Sequence, residues 1–216
     1  MKRTLLLVTC MIFAVSFTFS QQSNKDLKKQ LKENAIKSAQ KEAKKLTKDG
    51  WKVLPGEPPM DKQLEASWVN QLVTDDNGNP KYITSTGNGV AETQQAAMAQ
   101  ALELGKLTLA GMVETNIASI INANLANSQV STKDATSVTE IVQSSKNIIA
   151  QQLGYVNPAF KIYRDLKDKK IEVQVRLFYE SAQSLVIAKK AIKQELKDKL
   201  KKTDAEVNKL VDGGAK

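Results

Sequence analysis

Phe160-Lys161-Ile162-Tyr163-Arg164-Asp165-Leu166, then Lys167-Asp168-Lys169-Lys170, then Ile171-Glu172-Val173-Gln174-Val175-Arg176-Leu177-Phe178-Tyr179, is the stretch on which the fold turns. Its second run sets Ile171, Val173, Val175, Leu177 and Tyr179 against Glu172, Gln174 and Arg176. Side chains alternate across a strand, so this pattern predicts an antiparallel hairpin half-covered by helices. Lys81 to Thr86 adds a strand candidate upstream, after the turn signal Asp75-Asp76-Asn77-Gly78-Asn79-Pro80.

The stretch between these strands is helical in pattern. Gly87-Asn88-Gly89 reads as a tight strand-to-helix turn. Met98, Leu102, Leu109, Met112, Val113, Ile117, Ile120 and Ile121 then mark one face of a long helix. Alanines 96, 97, 99, 101 and 110 allow a neighbour to approach closely. A polar stretch from Asn122 to Asp134 separates it from a second helix bearing Val138, Ile141, Val142, Ile148, Ile149 and Leu153. Leu109 and Val113 are expected to face the sheet side that carries Val173 and Val175.

Both ends are basic and helical. Ser23 and Asp26 give an N-terminal start signal, and Leu27, Leu31, Ala35, Ala39, Ala43 and Leu46 form a narrow stripe that Gly50 terminates. Trp51-Lys52-Val53-Leu54 is a short extended piece before Pro55-Gly56-Glu57-Pro58-Pro59. Asp61 begins a shorter helix with Leu64, Trp68 and Leu72 on one side. At the other end Leu185, Ala188, Ile192, Leu196 and Leu200 stripe a lysine-rich helix. Thr203 and Glu206 form a capping box that restarts it before Val207, Leu210 and Val211.

The expected architecture is α+β: a small antiparallel sheet of about three strands, two central helices on one face, and basic terminal helices added outside. The organisation read from composition is a leader at 1–20, a basic helix and Pro-rich linker at 21–62, a core at 63–180 and a basic helix at 181–216.

Charge follows that division. Residues 21–62 carry 11 Lys against 6 acids, 63–160 carry 4 Lys against 8 acids, and 161–216 carry 15 Lys or Arg against 9 acids. Beyond residue 20 the only arginines are Arg164 and Arg176. Phosphate and base recognition favours the planar guanidinium, so nucleic acid is not an expected partner.

Met1-Lys2-Arg3, the apolar run from Leu5 to Val15 and the small residues Thr18 and Ser20 have the form of a cleavable export signal. The run falls short of the roughly 20 residues that span a bilayer. Cys10, the single cysteine, lies inside it in a poor context for lipidation, and cleavage after Ser20 leaves a chain without cysteine. The expected location is the periplasm or cell envelope.

Chemistry is constrained by what the composition lacks. There is no histidine, which removes Ser-His and Cys-His nucleophile systems and histidine-bearing zinc sites. Gly87-x-Gly89 has Glu92 where a dinucleotide loop needs its third glycine. Asp75, Asp76, Asn77 and Asn79 offer oxygens to a cation but lack the terminal glutamate of a calcium loop. Trp51 and Trp68 read as core side chains, with sugar stacking as the other reading. No catalytic, cofactor-binding or metal-binding residue is expected, and the chain is read as non-enzymatic. Lys189, Lys190 and Lys193 are the candidate contacts for an anionic envelope surface. The first alternative function is therefore peripheral binding to such a surface. The second is a carboxylate-dependent hydrolase without a visible signature.

Gly87-Asn88-Gly89, the alanine-rich helical run 91–121, the second helix and the strand pair with Tyr163-Arg164 and Ile171–Tyr179 together resemble a family of small envelope proteins. It is the family described for the Helicobacter membrane-associated lipoprotein. The same stretch, about residues 81–180, is similar in outline to the N-terminal domain of flagellar assembly protein T. The resemblance implies an α+β domain of the bacterial envelope, usually without enzymatic activity; the partner expected for the chain is another envelope protein or an anionic envelope surface. It transfers no functional residue, and this chain lacks a lipobox of the family's kind.

Overall fold

The computed structural model describes residues 24–127 and 131–213. The stretch expected to be an export signal, Cys10 and Ser23 lie outside them, as do the side chains of Asp26, Leu27 and Leu31.

The predicted hairpin forms, as β3 (Pro158–Asp165) and β4 (Ile171–Glu180), antiparallel with Tyr163 opposite Val173. Lys169 takes a left-handed φ of 58° in the connection, and Leu166 N–H donates to Lys170 O at 2.8 Å. The sheet has four antiparallel strands rather than three, in the order β1-β3-β4-β2. The extra strand is β1 (Lys52–Val53), the short extended piece after Trp51, which pairs with Tyr163 and Ile162.

The other edge strand, β2 (Tyr82–Ala91), overturns the reading of Gly87-Asn88-Gly89 as a turn. Both glycines lie inside the strand, Gly87 opposite Val175 and Gly89 opposite Val173. The helix that follows, α3 (Gln94–Ala126), starts at Thr93, whose side chain accepts from Ala96 N–H. Ala97, Ala101 and Gly105 recur at steps of four and face the strand, all buried. Glycine facing glycine and alanine lets helix and strand backbones touch. Met98 and Leu102 are consequently only partly buried, and Met112, expected on the inner face, is 41% exposed.

α3 runs about 50 Å at 1.5 Å per residue and so reaches past the sheet. It extends five residues, from Asn122 to Ala126, into the stretch expected to be polar loop. The expected second helix is two: α4 (Thr132–Gln143) and α5 (Lys146–Gln152). They part where the hydroxyls of Ser144 and Ser145 donate to the carbonyls of Ile141 and Val142. Short polar side chains that bond nearby backbone compete with helix continuation.

The C-terminal helices are part of the core, not additions to it. α6 (Ser181–Leu200) and α7 (Asp204–Asp212) meet at Lys201, and the Thr203–Glu206 capping box forms as predicted. Ile192, Leu196, Val207, Leu210 and Val211 join Leu109, Val113, Val173 and Val175 in one buried cluster. Leu109 and Val113 share that cluster with the sheet, while Gly89 and Gly87, the β2 positions opposite Val173 and Val175, lie against Ala97, Ala101 and Gly105 of α3.

The N-terminal elements cover the opposite face of the sheet. α1 (Asn24–Lys48) and α2 (Met60–Leu72) bury Ala39, Ala43, Met60 and Leu64 with Trp51, Phe160 and Ile162. Helices therefore lie on both faces, where one covered face was expected. Phe160 and Ile162, which alternate with Tyr163 and Lys161, account for that second apolar surface. Leu72, expected on the packed side of α2, is 41% exposed.

Candidate functional site

The lysines of α6 are not a free cationic row. Lys189 Nζ lies 3.2 Å from Asp212 Oδ1, and Lys193 pairs with the other oxygen. Lys197 pairs with Asp204, Lys199 with Glu195 and Lys202 with Asp134. Of the three candidate contacts, Lys190 alone is exposed; Lys189 and Lys193 are half-buried. Burial of Val207, Leu210 and Val211 brings α7 against its neighbours and its acids to the lysines.

The Lys193 hydrogen bond holds the Asp212 carboxyl below the ordinary aspartate range, with burial opposing and Lys189 assisting. A depressed carboxyl stabilises the fold above its unfolded value, about 3.9, and that contribution is lost as pH falls through the lower folded value. The side chain is 41% exposed, so the effect is small, about 1 kcal/mol at most. Acidification below the carboxylate range should loosen α7, read as faster amide exchange at Leu210 and Val211. Asp212→Asn should exchange faster already at neutral pH and show less further change on acidification.

With those lysines paired, contact with an anionic surface is expected to be weak and unspecific. Co-sedimentation with anionic vesicles should be visible at about 0.01 M salt and largely gone at about 0.15 M, as the Debye length drops from about 30 to about 8 Å. Binding that survives the higher salt would contradict this.

The outer face of the sheet holds a satisfied polar network. Arg176 donates to Ser67 Oγ at 2.9 Å and to Glu42 Oε1 at 3.1 Å, and it lies 5.3 Å from the Phe160 ring centre. Trp68 Nε1 donates to the second Glu42 oxygen at 2.7 Å. Arg164 stacks 4.6 Å from Trp51, which is 8% exposed, and binds Glu172 at 2.7 Å. Both tryptophans thus serve the packing of α1 and α2 on the sheet, and the two arginines hold that packing in register.

A cavity of about 270 Å³ lies where β2 begins and α6 starts, lined by Thr74, Asp75, Asp76, Lys81, Glu180 and Ser181 among others. Asp75 Oδ1 accepts the backbone N–H groups of Asn77 and Asn79 at 2.9 and 2.8 Å, so this carboxylate closes its own turn. Among the described residues no three Asp or Glu side chains gather as a metal donor set, and no helix is long and apolar enough to cross a membrane.

The remaining surface of note is the free side of β2. Among the described residues β2 pairs only with β4. The Val90 N–H is met by Gln100 Oε1 at 3.2 Å, not by a strand. Alternate residues of a strand direct their backbone groups to the same side, so Thr84, Thr86 and Asn88 also turn theirs away from β4. No charged residue and no proline occurs from Tyr82 to Ala91, whereas edge strands are usually guarded by both. Leu104 follows Gln100 by one helical turn on the same side of α3 and is 52% exposed, and Val90, within the strand, is 42% exposed. Sequence reading missed this edge because the two glycines looked like a turn. The signal that could have found it is the continued period-two placement of Ser85, Gly87 and Gly89.

No protein family, curated protein or solved structure matches the chain.

Proposed function

We propose that the chain is an exported, non-catalytic binding or assembly protein of the cell envelope that engages a protein partner through the free edge of β2 and the adjoining side of α3. The observation that carries this reading is the ten-residue, charge-free edge, with exposed Val90 within it and exposed Leu104 on the adjoining side of α3, in a chain of which 25% is charged. Unpaired backbone groups on an edge are a template for strand addition, with the backbone supplying affinity and flanking side chains supplying specificity. The export signal at 1–20 and the resemblance to envelope lipoproteins support the location. Composition without histidine supports a non-catalytic role.

The test is site-specific photo-crosslinking in intact cells from Thr86 and, separately, from Lys190, followed by fractionation and mass spectrometry. Protein adducts from Thr86 in the envelope fraction, on a chain beginning at or near Gln21, are the expected result. A chain retained in the cytoplasm with residues 1–20 intact would overturn the location. Adducts from Lys190 alone would overturn the assigned surface.

A further inference from the structure

We infer that the partner at the β2 edge is a second copy of the same chain, paired antiparallel about a two-fold axis close to Thr86. The inference rests on the reading of this edge as the working surface and names its occupant.

Charge placement favours self-pairing. Lys81 precedes the neutral strand and Glu92 follows it. Antiparallel pairing of two copies about Thr86 sets Lys81 opposite the partner's Ala91, one residue from its Glu92, at both ends, whereas parallel pairing would set like beside like. The whole chain carries a formal +9, so most of its surface repels a copy of itself, and the neutral edge is where that repulsion is least.

Register follows from which backbone groups are free. Tyr82, Thr84, Thr86, Asn88 and Val90 share the open side, so a two-fold at Thr86 pairs Thr84 with the partner's Asn88 and Tyr82 with the partner's Val90. The last is an aromatic–β-branched pair of the kind that stabilises adjacent strands. The Val90 N–H would pass from Gln100 to the partner. The result is one continuous sheet through both copies, with the same patch used twice, as a closed two-fold interface requires.

Leu104 fits the same axis. α3 runs opposite to β2: Ala97 lies over Gly89 and Ala101 over Gly87, while Ser85 Oγ donates to Gly105 O at 2.7 Å. Leu104 is thus level with Thr86, on the edge side of the helix. A two-fold there brings it against the partner's Leu104 and buries a side chain that otherwise stands in water. One strand pair and one apolar contact make a small interface, so a reversible dimer is expected.

Sedimentation velocity on the full chain from about 1 to about 100 µM tests this, since dimer population follows protomer concentration. The expected result is a concentration-dependent dimer that Thr86→Lys and Leu104→Lys each abolish without lowering the thermal unfolding midpoint. Lys81→Glu should weaken dimerisation, and adding Glu92→Lys should restore it. Without any substitution, the Thr84, Thr86 and Asn88 amides should gain exchange protection as concentration rises. A monomer throughout, or a dimer indifferent to both lysine substitutions, would overturn the inference. A monomer that still gives Thr86 adducts with a different envelope protein overturns self-pairing alone. Absence of Thr86 adducts altogether removes the functional reading as well.

Discussion

Gly87→Ala is expected to destabilise the protein by about 3 kcal/mol or more, the upper end for overpacking a rigid site, and to lower Tm by about 10 °C. A Cβ at Gly87 would overlap the Ala101 carbonyl oxygen and lie 2.6 Å from the Gly105 nitrogen and 2.9 Å from its Cα. These are backbone atoms of α3, so no rotamer change relieves the clash. The helix must lift from the strand, separating Gly105 from Leu177, which it packs against closely. Gly89→Ala meets the same obstacle at Ala97 O and, at 2.7 Å, Ala101 N. The control is Gly111→Ala in the same helix, where the added methyl would meet Lys146 Cε at an ordinary 3.5 Å. It should stabilise by up to about 1 kcal/mol, because alanine outranks glycine in a helix interior. Chemical denaturation that shows equal effects at Gly87 and Gly111 would refute the close helix–strand contact.

Leu109→Ala is the second large effect, at about 2–5 kcal/mol. Leu109 is fully buried and belongs to the cluster that also holds Val113, Ile117, Val173, Val175 and Ile192. Truncating it removes transfer free energy and leaves a cavity between α3 and elements already fixed by their own packing, so little collapse can refill it. Lys190→Ala, on an exposed face of α6, should change stability by less than about 0.5 kcal/mol. Equivalent urea midpoints for the two variants would place Leu109 outside the core.

Local pattern was sufficient wherever a side chain declares its own surroundings. The alternation from Ile171 to Tyr179, the stripe of α6 and the Thr203–Glu206 capping box each express a short-range rule. Period, cap and hydrogen bond lie within a few residues, and each element formed where it was expected. The packing role of Trp51 and Trp68 was legible for the same reason, since each sits beside an apolar stripe.

What only the tertiary structure decided are the features in which a residue's role depends on a distant backbone. Gly87 and Gly89 carry no side chain to announce a face, so they read as a turn. They are strand because α3 presses its own backbone against theirs. The second covered face of the sheet depended on α1 and α2 folding back over Phe160 and Ile162, a long-range contact that no local period encodes. Lys189 and Lys193 looked free on the sequence, yet Asp212, some twenty residues away, reaches them because α7 turns back on α6. The open edge of β2 arose the same way: strand order, not strand sequence, decides which backbone groups lack a partner, and order is set by how the whole chain packs.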